Sequence, residues 1–231
     1  MTGPPTLKER LDRLADEYRD AYLDTDPVGL VHRYASPEDR EVAGLLVSSI
    51  SYGGAAQIRK SALAMLSLAG DSPASFARSC GMERTAGRFA SFRHRWTTGR
   101  EVASLFLAAG DILDEFGSIG SFVRSIDDPR EDTVEGLMTR FSERFASRLG
   151  EKPGCSPASP SLRSTASYLL PSPAHGSACK RLAMYFRWMV RGPDGVDFGL
   201  WNFVSPSRLV IPVDRHIARM GLRLGLTRRR S

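Results

Sequence analysis

Apolar residues recur at intervals of three and four along most of this 231-residue sequence, and runs that alternate apolar with polar residues are nearly absent. A chain with that periodicity can bury its apolar surface only by packing helix on helix, so the expected fold class is all-α. Leu7, Leu11, Leu14, Tyr18 and Tyr22 lie on one helical face, and VGLVHRY after Asp26-Pro27 reads as a short turn of helix. Ser36-Pro37-Glu38-Asp39 supplies an N-cap with proline at the first helical position. The segment it opens, EVAGLLVSSIS, is apolar on nearly every side and is expected to be buried. Tyr52-Gly53-Gly54 ends it, and Ala55–Ala69 follows as a second helix. Further helices are expected from Asp71-Ser72-Pro73, over Glu101–Phe116, and from Asp132-Thr133 to about Leu149. The stretch LVIPV at Leu209–Val213 is too short to support a sheet.

Residues 150–177 break the pattern, with five prolines and seven serines in 28 positions. The length suits one ample domain, so residues 1–231 are taken as a single helical unit in which 151–177 is a Pro/Ser-rich loop between two lobes. No apolar run approaches the ~18 residues a membrane span needs, which argues against a membrane partner. The N-terminus is dense in charge, and Cys80, Cys155 and Cys179 are odd in number. A cytoplasmic, nucleoid-associated protein without a disulfide framework is expected, acting as a monomer.

The net charge of +6 is unevenly spread. From Cys155 to Ser231 there are 12 Lys and Arg against 3 Asp and Glu, a net of +9, whereas residues 1–154 carry 20 against 23, a net of −3. A genome biased toward arginine accounts for 28 of the 32 basic residues being Arg, but not for their crowding at one end. That crowding points to a polyanionic partner, nucleic acid first.

Two basic segments carry candidate chemistry. In HGSACKRLAMYFRWMVR, Gly176-Ser177 supplies a break and an expected N-cap, which puts Lys180 in the first helical turn. The helix dipole disfavours a cation there, and a neutral amine is a nucleophile. Lys180 is the one lysine among the 12 basic residues after Cys155, and arginine cannot serve as an amine nucleophile. In IPVDRHIARMGLRLGL, Asp214 caps a helix whose Arg215, Arg219 and Arg223 recur every four residues, a stripe able to follow a phosphate backbone. On these residues alone, a solvated lysine and a plain capping aspartate remain the simpler accounts. A metal site built from His175, Cys179 and Cys155 lacks the paired spacing such sites use, so no metal is expected.

The whole pattern resembles the helix-hairpin-helix base-excision DNA glycosylase superfamily. IPVDRHIARMGLRLGL is similar to the segment that carries that superfamily's catalytic carboxylate. EVAGLLVSSISYGGAAQIRKSALAML looks like its early buried helix, strand-separating turn and following helix, and GSACKRLAMYFRWMVR sits where the hairpin lysine belongs. The usual Leu-Pro-Gly-x-Gly-x-Lys hairpin is replaced by the longer LLPSPAHGSACK, and 34 residues separate the lysine from the aspartate. Both features are more like the archaeal 8-oxoguanine glycosylase branch, and closer still to a bacterial family of unassigned function. Families of this kind continue past the aspartate helix, whereas this sequence stops at Ser231, so a truncated C-terminal end is an expectation.

The resemblance implies a two-lobed helical fold with a variant helix-hairpin-helix, binding double-stranded DNA that holds a damaged base or an abasic site. It implies removal of an oxidised purine, 8-oxoguanine first, with Lys180 as nucleophile and Asp214 as its carboxylate partner, followed by strand nicking and with no cofactor. Gly176, Ser177, Arg181, Arg187, Arg215, His216 and Arg219 are the implied DNA contacts, and Trp201, Tyr52, Ser51 and Pro212 the residues expected near a flipped base. The competing expectation is a catalytically silent helical DNA-binding module on the same scaffold.

Overall fold

A computed structural model describes residues 4–79, 81–149 and 168–228 of the chain. Cys80, Cys155, most of the 151–177 loop and the last three residues lie outside the described residues. Helices dominate, as the periodicity predicts. They are α1 (Leu7–Thr25), α2 (Val28–Val31), α3 (Pro37–Ser49), α4 (Ala55–Ala69), α5 (Pro73–Arg78), α6 (Met82–Arg88), α7 (Gly99–Phe116), α8 (Ile119–Ile126), α9 (Glu135–Ser147), α10 (Lys180–Val190) and α11 (Arg215–Arg223). Between α6 and α7 a two-residue turn joins β1 (Arg93–His94) to β2 (Thr97–Thr98), with Arg93 opposite Thr98 and His94 opposite Thr97. Among the described residues no helix is long and apolar enough to cross a membrane.

The caps fix where the helices start. Ser36 Oγ accepts the Asp39 N–H and Ser72 Oγ accepts the Ser75 N–H, each with proline at the start of the helix it opens. Helix α3 runs through the centre of the molecule, and Val42, Ala43, Leu45, Leu46, Val47 and Ile50 are wholly buried. Helix α10 crosses it at Gly44, where a β-carbon would come within 2.7 Å of Met189 Cε and 3.2 Å of the Tyr185 ring. The crossing is close there, and a side chain at that point would have to displace the Met189 methyl and press on the Tyr185 ring.

Glu41, on the same helix, is buried with its carboxylate at the N-terminus of α8. Its Oε2 accepts the Ile119 N–H at 2.9 Å, and its Oε1 accepts both the Gly120 N–H at 2.9 Å and the Trp201 Nε1–H at 2.8 Å. Tyr185 Oη donates to the Glu41 carbonyl at 3.0 Å. Burial pushes the Glu41 carboxyl up to about 7, against the pull of the Trp201, Gly120 and Ile119 donors.

Two features depart from the sequence pattern. The α1 stripe forms but stays open to solvent over Leu7, Leu11, Leu14 and Tyr18, and packing begins only at Tyr22 and Leu23. Helix α11 buries none of its residues.

Candidate active site

Lys180 and Asp214 line one cavity of about 640 Å³, together with Ser51, Tyr52, Gly53, Tyr168, His175, Ser177, Cys179 and Arg181. Each of the two is delivered by its own anchorage. Lys180 stands at the first residue of α10, held by the α3–α10 crossing and by the buried stripe of Leu182, Ala183, Phe186 and Met189. Asp214 follows a stretch fixed by Arg208, whose guanidinium makes a two-pronged ion pair with Asp127 (3.0 and 2.9 Å) and whose carbonyl accepts the Val134 N–H. Arg208 is 7% exposed, so the pair is buried.

Asp214 is the N-cap of α11. Its Oδ1 accepts the His216 and Ile217 N–H groups, each at 2.9 Å, and Oδ2 accepts no hydrogen bond among the described residues. The Ile217 N–H, then the His216 N–H and the nearby Lys180 ammonium, hold the carboxyl below its ordinary value, while partial burial opposes them. The group is thus a fixed carboxylate with one oxygen left over, beside an amine.

The start of α10 differs from the sequence expectation. Ser177 does not cap the helix; its Oγ accepts the Cys179 N–H at 3.2 Å in a turn, and the helix begins at Lys180 with Cys179 in the left-handed region at φ 44°. Burial of Cys179, whose thiol donates to the Pro171 carbonyl, draws the chain inward before the helix can start. Lys180 remains in the first turn, at its first position instead of its third.

Other expected residues part company with the cavity. Trp201 is 1% exposed, spent on Glu41 and packed edge-on against Tyr185 and Phe186, so it cannot touch a base. Arg187 pairs through Nε with the buried Asp197 at 3.1 Å, which ties that edge of its guanidinium to the protein and away from the cavity lining. Arg181 donates to the carbonyls of Ser49 and Tyr168, and its guanidinium lies over the rings of Tyr52 (5.2 Å) and Tyr168 (4.9 Å). It is a wall of the cavity with one donor on each terminal nitrogen engaged by the protein. Gly176, which ends the short turn at Pro173–His175 with φ 71°, lies outside the cavity lining, and so do Pro212 and His216. Arg215 and Arg219 are exposed, as a phosphate-following stripe requires. Ser51 and Tyr52 do line the cavity, Ser51 with its hydroxyl spent on the Val47 carbonyl.

His175, Cys179 and Asp214 also face this cavity, yet among the described residues no three His, Cys, Asp or Glu side chains converge as a metal site would need. Sequence reasoning missed Tyr168, which is 42% exposed at the rim. It follows a serine-rich stretch without periodicity, so no pattern marked it out.

A family model matches residues 26–231, nearly the whole chain, and is described as a protein of unknown function, DUF2400. The chain belongs to the DUF2400 family. No curated protein and no solved structure matches it. Within the region that places the chain in DUF2400 lie the whole cavity, the Glu41 cluster and the basic helix α11.

Proposed function

We propose that this DUF2400 protein is a DNA base-excision glycosylase with lyase activity, built on a glycosylase-like helical fold and acting on an oxidised purine. One observation carries the reading: a lysine and an ionised, partly unpartnered carboxylate, 34 residues apart in sequence, share one cavity large enough for a nucleotide. Once its ammonium has given up a proton to water, the Lys180 amine attacks the sugar's anomeric carbon, and the bond to the base breaks with its electron pair leaving on the base, which is protonated as it departs. Asp214 stabilises the positive charge that develops on the sugar and accepts a proton from the attacking amine. Ring opening then gives an imine between Lys180 and the sugar. Loss of the neighbouring carbon's proton expels the 3′ phosphate and nicks the strand, and water releases the enzyme.

The test is borohydride trapping, because reduction turns the imine into a stable amine. An abasic duplex incubated with the protein and borohydride is expected to yield a covalent protein–DNA adduct on a denaturing gel, mapped by peptide analysis to Lys180. The Lys180→Ala and Lys180→Arg proteins are expected to give none, since neither offers a free amine. Trapping at Lys8 or Lys60, or none at all with a folded protein that binds DNA, leaves the silent binding module as the better account.

Binding itself is expected to be electrostatic. Arg215→Ala and Arg219→Ala should each weaken binding to all duplexes alike and lower the log–log salt slope by about one. Arg187→Ala should lower the slope by less than either, because its Nε edge already serves Asp197. Affinity that does not respond to salt would overturn the assignment of the basic helix.

A further inference from the structure

The hairpin between α6 and α7 carries a feature that the cavity chemistry does not use. Trp96 at its tip is 65% exposed, whereas Trp188 and Trp201 are each 1% exposed. A large aromatic left in water on a mobile loop would mean little, but this tip is rigid. Tyr52 Oη donates to the His94 carbonyl at 2.8 Å and shares a hydrogen bond with Thr97 Oγ1 at 2.7 Å. His94 is wholly buried, with Nδ1 2.9 Å from Ser61 Oγ and Nε2 3.0 Å from the Tyr52 carbonyl. Thr98 passes straight into a capping box with Glu101 at the start of α7. Both legs of the hairpin are therefore fixed to buried structure, and only the two tip residues stand free.

The tip also stands beside the cavity. Gly53 lines the cavity at φ 105°, and a β-carbon there would meet the Arg95 guanidinium at 3.0 Å. Arg95 takes up the left-handed region at φ 53°, a conformation that costs a non-glycine residue energy and here turns its guanidinium over the Trp96 ring, 4.8 Å from the centroid. Arg93 and Arg95 form no ion pair with a carboxylate among the described residues, and Arg93, Arg95 and Arg100 are all exposed. The exposed positive charge of three arginines around this ring favours a polyanionic partner. Interleaved arginine and aromatic side chains on a rigid element suit a base stacked on the ring and a phosphate beside it.

We propose that the Arg95–Trp96 tip is a nucleic-acid contact at the mouth of the cavity, where Trp96 stacks on a base left unpaired in DNA whose duplex has opened there. This inference rests on DNA being the partner, and it adds a base contact remote from Lys180 and Asp214. The free face of the ring takes the base, and Arg95 holds the other face and supplies charge toward the strand.

The experiment measures binding of the full chain to two duplexes of one sequence, one intact and one with a stable tetrahydrofuran abasic analogue that leaves the opposite base unpaired. The analogue cannot form an imine, so binding is read without chemistry. Trp96→Ala is expected to weaken binding to the abasic duplex roughly tenfold, to change intact-duplex binding much less, and to leave the salt slope unaltered. Trp96→Phe keeps a ring and is expected to retain most of the affinity. In the wild type, the abasic duplex should quench the emission of the one exposed tryptophan. Exposure of the side chain leaves folding unaffected, which circular dichroism checks. Wild-type binding that Trp96→Ala does not change, or changes equally for both duplexes, would overturn this inference and leave the proposed function standing. A wild type that binds neither duplex removes both.

Discussion

Asp214→Asn is expected to leave the protein folded and bound to DNA while slowing base release by about 10²- to 10⁴-fold, the range for losing a general acid–base group. The geometry makes the separation clean. Only Oδ1 caps α11, accepting two N–H groups, and an asparagine carbonyl oxygen can do the same. What the amide cannot do is carry the negative charge that Lys180 faces or take up a proton. Single-turnover excision at saturating enzyme reads the chemical step, and a filter-binding titration on the same preparation reads affinity. An asparagine variant with unimpaired turnover would reduce Asp214 to a cap and remove half of the proposed site.

Glu41→Ala is expected to cost about 4 kcal/mol of folding stability. Truncation leaves three buried donors, the Ile119 and Gly120 N–H groups and the Trp201 indole, without an acceptor, at about 1–3 kcal/mol apiece before relaxation. Glu41→Gln keeps the volume but turns a donor toward at least one of those N–H groups, and about 2 kcal/mol is expected. The carboxyl also sets a pH signature. Its value in the folded protein lies at about 7, above the 4.5 of the free group. The native state therefore holds the proton more tightly, and the stability it confers is present in full below about pH 4.5 and lost as pH rises through about 7. The wild type should lose about 3 kcal/mol across that window that the glutamine variant does not. Urea unfolding of both proteins at pH 4.5 and 7.5 measures it, and equal pH dependence in the two would show that Glu41 is ionised throughout.

Where a helix begins was legible at three caps: Ser36-Pro37, Ser72-Pro73 and Asp214 each mark a helix start that the structure keeps, whereas Ser177 caps none and the helix expected from Asp132-Thr133 starts at Glu135. Helices α6 and α8 were not legible, because seven or eight residues give too few turns for a periodic signal. Two-residue strands show no alternation at all, which is why the hairpin was invisible. Within the site, Lys180 and Asp214 could be picked out because their residue types are rare in their surroundings or sit at a cap. The fate of the aromatics could not. Trp201 is buried by a carboxylate 160 residues away, and Trp96 is exposed at the tip of a two-residue turn, and neither fact leaves a trace in local sequence. Arg187 likewise looked free until Asp197, ten residues on, folded back against it.

The separate mooring of the two cavity residues has a consequence for how such proteins are recognised. Phe198 and Trp201 donate their N–H groups to the carbonyls of Trp188 and Met189, so the chain leaving α10 is hydrogen-bonded back to the last turn of that helix. Arg208 then fastens the approach to Asp214 through Asp127. Within the first fastening, between Met189 and Phe198, lies an exposed turn at 192–195. Exposed turns accept inserted residues readily, and the bonds on either side of this one hold the lysine and the carboxylate in place. The count of residues from lysine to aspartate is therefore free to drift among relatives while the cavity stays the same, and a search keyed to a fixed interval between the two would pass over proteins that share the site.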